Sequence, residues 1–201
     1  MSRKSRNLDA KKKKIIYCEG ESEEAYFNML GRKYGSSNVE IVCLKKGELS
    51  CIKDAITHIE KNKKTEFEKY IAIDADKMSN VCIDQCYKLC RDNDITILFS
   101  NVCFEVWILS HYIKLNIDQE CTKDWLYSML ESKMDIESYP RFKGNDYEPY
   151  IWDDIQQACL NIEKLNEEYR EQGGGGNLKY HNPFTSISGK VLKSIFDTNV
   201  L

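Results

Sequence analysis

Over the first half of the chain, short apolar, β-prone runs alternate with amphipathic stretches of helical period. Lys14 to Cys18 is the first run; it ends at Glu19-Gly20, and Ser22 then caps a helix whose apolar face is Ala25, Tyr26, Met29 and Leu30. Val39 to Leu44 is the second, followed by a helix from about Ser50 with Ile52, Ala55, Ile56 and Ile59 on one side. Tyr70 to Asp74 is the third, leading to a helix that carries Cys82, Cys86, Leu89 and Cys90. Ile95 to Phe99 is the fourth and leads through Ser100-Asn101 to the apolar segment Phe104 to Tyr112. Strands alternating with helices predict βαβ units, hence an α/β fold with a parallel sheet of about four strands. Beyond residue 120 only helical periodicity remains, clearest in Ile151, Ile155, Ala158, Cys159, Ile162, Leu165 and Tyr169, which mark one face of a long helix. Tyr139 to Tyr150, with Pro140, Gly144 and Pro149, reads as a loop, and Gly173 to Gly176 as a flexible loop between helices. The expected division is a basic arm over 1–13, an α/β core over 14–118 and a helical extension packed on the core over 119–201.

Composition narrows the class. No apolar run in the 201 residues approaches the eighteen or so that span a bilayer. The first residues are basic and polar rather than basic and then apolar, so no secretory signal is expected and the cytoplasm is the expected compartment. Nine cysteines, an odd number with many inside apolar runs, read as reduced thiols rather than a disulfide scaffold. Cys82, Cys86 and Cys90 recur every four residues, as a buried helical face does, not at the closer spacing of zinc thiolates. The net charge of -3 argues against gripping nucleic acid over the whole surface and leaves a local site open. That charge is uneven: Arg3, Lys4, Arg6 and Lys11 to Lys14 against Asp9 put the first fourteen residues near +6. Such an arm reads as a solvated tail or as a segment that attracts phosphate without sequence preference.

The informative chemistry lies at the carboxyl ends of the strands, where an open parallel sheet places its ligand site. The first strand ends at Glu19, with Glu23 one helical turn later; the third ends in Asp74-Ala75-Asp76, whose two-residue period sends both carboxylates to one side. Glu105 stands in an otherwise apolar segment, where a carboxylate is costly unless it is paired or bound to a metal. Five converging acids would raise one another's pKa values until a divalent cation neutralised them, and hard oxygen ligands suit Mg²⁺ or Mn²⁺. Plainer roles stand beside these. Glu23 favours the first turn of any helix, the Asp pair could end a strand, and Glu105 could pair with Lys143 or His111. His111, in an apolar helix, reads as a hydrogen-bonded core residue.

These motifs resemble a known family. A Glu ending the first strand and an Asp-x-Asp ending a later one resemble the Toprim domain, the metal-dependent core of topoisomerases, bacterial primases and OLD-type nucleases. The fuller set is similar to the RloB family of bacterial anti-phage defence proteins, which includes the second component of the AbiL abortive-infection system. The matching segments are Cys18-Glu19-Gly20-Glu21-Ser22-Glu23, Ile73-Asp74-Ala75-Asp76, the run from Ser100 to Tyr112 around Glu105, and Asn182-Pro183-Phe184-Thr185. Val102 stands where the family tends to have proline.

The resemblance implies a Toprim-like sheet and a metal-dependent nuclease acting as a defence effector. Glu19, Asp74 and Asp76 would be catalytic, and Glu19, Glu23, Asp74, Asp76 and Glu105 would hold two Mg²⁺ or Mn²⁺ ions. Lys143 is the candidate for stabilising charge on the scissile phosphate. A nucleic-acid substrate and an AAA-type ATPase partner are implied as well; Gly189-Lys190 does not complete a nucleotide-binding P-loop in this sequence. The alternative is a non-catalytic metal- or nucleic-acid-binding regulatory subunit of an ATPase-containing complex. Nucleotidyl transfer of the primase kind ranks last, since no nucleotide-specific pocket is legible.

Overall fold

The computed structural model describes residues 12–62, 66–76, 78–174 and 177–199. Five strands form one sheet: β1 (Lys13–Cys18), β2 (Val39–Cys43), β3 (Phe67–Asp74), β4 (Ile95–Asn101) and β5 (Phe184–Thr185), in the order β2-β1-β3-β4-β5. The first four are parallel and β5 is antiparallel to β4. Helices α1 (Glu21–Tyr34), α2 (Glu48–Lys61) and α3 (Asn80–Asp92) connect the parallel strands. Then follow α4 (Glu105–Leu109), α5 (Lys123–Met134), α6 (Tyr139–Phe142), α7 (Glu148–Ile151), α8 (Ile155–Tyr169) and α9 (Gly189–Phe196). The α/β, Toprim-like expectation holds, with one strand more than the periodicity predicts.

Strands buried on both faces read as unbroken apolar runs, which is why β1 and β3 are legible. Side chains alternate between the faces: Ile16 and Cys18 join Tyr70, Ala72 and Leu98 in one core, while Ile15 and Tyr17 join Ile71 and Ile73 in another. The second core is closed by Cys51, Ile52 and Ala55 of α2 and Cys86 and Cys90 of α3. The first takes in α1, α4, α5, α8 and α9, so residues on both sides of position 118 share it.

Several local expectations change. β1 begins at Lys13, and Lys14, counted with the basic arm, is buried at 4% exposure with its ammonium on Asp197 and the Ser194 carbonyl. Residues 1–11 of that arm lie outside the described residues. Two residues cannot show a strand period, so β5 leaves no hydropathy signal; backbone pairing with Ser100 and Asn101 makes it a strand. The long helix breaks at Trp152–Asp154 into α7 and α8, although Ile151, Ile155, Ala158, Ile162, Leu165 and Tyr169 are all buried as predicted. Tyr139 to Tyr150 is no plain loop: its prolines start the single-turn helices α6 and α7, where a missing N–H costs nothing. Arg170–Gly174 continues α8 as a wider turn, with Gly173 at φ 85°; Gly175 and Gly176 lie outside the described residues. No disulfide joins the nine cysteines, and no described helix is long and apolar enough to cross a membrane.

Candidate active site

The chain goes from β1 out to β2 and back across to β3, so the strand order reverses between β1 and β3. Connections leave in opposite directions there and open a crevice beyond the carboxyl ends. Glu19 and Asp74 are the residues at those two ends. They line one cleft of about 350 Å³ together with Glu23, Asp76 and Lys143.

Each acid is fixed by its own element. Glu19 is half-buried, and its Oε2 accepts from the Asp74 N–H at 3.4 Å, tying the two strand ends together. Gly20, not Ser22, is the N-cap of α1, and a Cβ there would lie 2.9 Å from Glu23 Oε2. The glycine of Glu-Gly-Glu-Ser-Glu is therefore the space into which Glu23 folds. Asp74 ends β3 and Asp76 sits on the turn that follows, pinned to the end of β4 and the residue after it: the Ala75 N–H donates to Ser100 O and the Asp76 N–H to Val102 O, both at 2.8 Å. The Asn101–Val102 peptide is cis. Asp76 takes the left-handed region at φ 39° and pairs through Oδ2 with Lys123 at 3.2 Å.

Glu105 lies under the cleft at 0% exposure. Its Oε1 receives Lys143 Nζ at 2.9 Å and the Ser22 hydroxyl at 3.4 Å, while its Oε2 is buried with no hydrogen-bond partner. Of the readings open for Glu105, the ion pair with Lys143 is the one present. Ser22 supplies a buried hydroxyl to that pair instead of a helix cap. Lys143 also donates to the Tyr127 hydroxyl at 3.0 Å, and the hydroxyls of Tyr139 and Tyr147 meet at 2.7 Å nearby. His111 belongs to the core: Nδ1 lies 3.1 Å from the Trp107 and Ile108 carbonyls and Nε2 lies 3.3 Å from the Tyr26 hydroxyl.

Electrostatics follow from this crowding. Burial raises the Glu23 carboxyl to about 7, with the charges of Glu105 and Glu19 adding to it against a backbone hydrogen bond and Lys143. Burial, then Glu23, Glu105 and Glu19, hold Asp74 well above its ordinary range. Burial pulls Lys143 down, but Glu105 and the Tyr127 hydroxyl outweigh it and its net shift is upward. Among the described residues no three His, Cys, Asp or Glu side chains are gathered closely enough to hold an ion as they stand. The donor set nevertheless fits a hard divalent cation. All its atoms are carboxylate oxygens, two of the acids are held above their ordinary pKa, and Glu105 Oε2 is an unmatched buried acceptor.

A larger hollow, about 850 Å³, lies between α8 and α9 and is lined by one carboxylate, Glu163, beside Arg170, Lys190 and Lys193. It lacks the cluster of carboxylates found at the strand ends.

The sequence model of the RloB-like protein family matches residues 14–193. The chain belongs to the RloB-like family. No curated protein and no solved structure matches it. The matched segment of this RloB-like chain contains all six residues singled out from the sequence. Lys45, Lys46 and Lys123 also line the cleft, and sequence reasoning missed them. Lys45-Lys46 follow β2 after one residue, Leu44, so the strand-end rule that found the acids would have found them; Lys123, at the start of α5, carries no sequence signal.

Proposed function

We propose that this RloB-like chain is a metal-dependent nuclease that hydrolyses phosphodiester bonds of DNA or RNA, working as the effector of a bacterial anti-phage system with an AAA-type ATPase partner. The reading is carried by one observation: acids from the ends of β1 and β3 meet Lys143 in one cleft, where burial and neighbouring carboxylates hold Glu23 and Asp74 above their ordinary range. Glu19, Glu23, Asp74 and Asp76, with Glu105 Oε2, would hold Mg²⁺ or Mn²⁺. When bound, the ions would supply Lewis acidity toward the phosphoryl oxygens and the attacking water. The Lys143 ammonium, held by Glu105 and the Tyr127 hydroxyl, is poised to donate to a non-bridging oxygen of the scissile phosphate. Glu19, fixed by the Asp74 N–H through Oε2, orients or deprotonates the attacking water. Family membership supports the defence setting and the ATPase partner.

The test incubates the purified chain, with and without that ATPase, with plasmid DNA and RNA in Mg²⁺ or Mn²⁺. Calorimetry measures Mn²⁺ binding in parallel. Glu19→Gln and Asp74→Asn are expected to retain the fold and lose cleavage by at least about a hundredfold. Undiminished cleavage by Asp74→Asn overturns the mechanism. Metal binding without cleavage in every combination replaces it with the regulatory reading.

A further inference from the structure

We propose that the cleft takes a single polynucleotide strand by its backbone, laid across the strand ends from Lys45-Lys46 on one wall to Lys123 on the other; this rests on the nuclease reading of the acids. The sheet order sets the charges in sequence across the site. The turn after β2 brings Lys45 and Lys46, the ends of β1 and β3 bring the acids, and Lys123 stands against Asp76. From β2 to β3 is two inter-strand steps, about 10 Å. One phosphate over the acids leaves both cationic walls unused, whereas neighbouring phosphates of the same strand reach both.

The lysines are available for this exchange. Lys45 pairs with Glu21 at 2.7 Å, Lys46 with Asp54 at 2.6 Å and Lys123 with Asp76 at 3.2 Å, and each lysine side chain is more than a third exposed. Exposed pairs of this kind contribute little, so phosphate replaces the carboxylate at small cost. Backbone strain points to the same place. Of the five non-glycine residues described with positive φ, four are aspartates, a type that tolerates the left-handed region, Asp76 at φ 39° among them. The fifth, Lys45 at φ 51°, is of a type without that tolerance, and it lines this cleft. The Leu44 N–H donates to the Cys18 carbonyl at 2.9 Å, so the turn carrying Lys45 is tied to the end of β1.

The experiment is fluorescence-anisotropy titration of the full chain with a mononucleotide, a dinucleotide and longer single-stranded oligonucleotides, with Ca²⁺ in place of Mg²⁺, between about 50 and 200 mM salt. Affinity is expected to rise with length beyond the dinucleotide. The Lys45→Ala/Lys46→Ala and Lys123→Ala variants are expected to lower the slope of log affinity against log salt by about 0.7 for each phosphate no longer neutralised. Lys114→Ala, whose ion pair is with Glu168, keeps the wild-type slope. A mononucleotide bound as tightly as the longest strand, equal slopes in all variants, or no oligonucleotide binding by the wild type overturns the proposal. Cleavage undiminished in the lysine variants also sinks it and leaves the nuclease reading standing. Lysine-dependent strand binding without cleavage in any metal does the reverse.

Discussion

Gly20 and Glu23 show how closely single residues are bound to the chemistry. With 2.9 Å between a Cβ at position 20 and a buried carboxylate oxygen, Gly20→Ala forces Glu23 to move. Because only the carboxylate end of Glu23 has to shift, the expected result is weakened Mn²⁺ binding in calorimetry while cooperative unfolding in urea is retained. Glu23 also predicts a pH dependence. Its folded pKa of about 7 lies above the ordinary 4.5, so between those values the native state keeps a proton that the unfolded chain has released. Its contribution to the metal-free protein therefore falls as pH rises from about 4.5 to 7, and Glu23→Gln removes that decline. His111 acts in the opposite sense. Burial lowers it to about 4 from 6.5, so stability falls as pH drops through that interval, where only the unfolded chain gains the proton. His111→Gln is expected to flatten that acid limb by roughly 3 kcal/mol. Both slopes are read as differences from the wild type in denaturation at a series of pH values, because their windows overlap.

The segment from α5 to α7 holds Lys143 over Glu105. Thr122 Oγ1 caps α5 by accepting from the Trp125 N–H at 3.2 Å, and Glu131 Oε1 accepts from the Tyr139 N–H at 2.9 Å, fixing the start of α6. Gly144, at φ 81°, then turns the chain against Glu21, so Lys143 reaches the pair from a short, tethered stretch. The two partners are unequally buried, at 32% exposure for Lys143 and 0% for Glu105, and their substitutions should differ accordingly. Lys143→Ala leaves a fully buried carboxylate unpaired and is expected to cost about 3–5 kcal/mol. Glu105→Ala lets the lysine turn to solvent and should cost less; urea denaturation of the two variants compares them, and the reverse order would contradict the geometry. None of this tether was visible in the sequence. Pro140, Gly144 and Pro149 read as loop punctuation because one-turn helices are too short to show a period.

At the scale of the molecule, the C-terminal segment is bound into the first core and into the sheet. β5 adds to β4, and Lys14 of β1 joins α9 through Ser194 and Asp197. Removing residues 187–201 takes away Ile187, Leu192, Ile195 and Phe196, each at 0–1% exposure. At about 6–12 kcal/mol together, their burial is comparable to the whole stability of a domain. The truncated chain is expected to lose cooperative unfolding by circular dichroism, and a folded 1–186 fragment would contradict this. The sequence by itself determined what depends on local periodicity: four parallel strands, the helices between them, the apolar face running through α7 and α8, and the acids at the ends of β1 and β3. It also held the family pattern across residues 14–193. Tertiary structure decided what depends on which segments meet. The reversal of strand order between β1 and β3 opens the cleft. Backbone pairing with β4 makes a strand of two residues at 184–185. Lys143, far along the chain from Glu105, becomes its partner, and lysines from the β2 turn and α5 line the same cleft as the acids. The physical reason is that hydropathy periods record burial along one element, whereas a site is made where the ends of several elements converge.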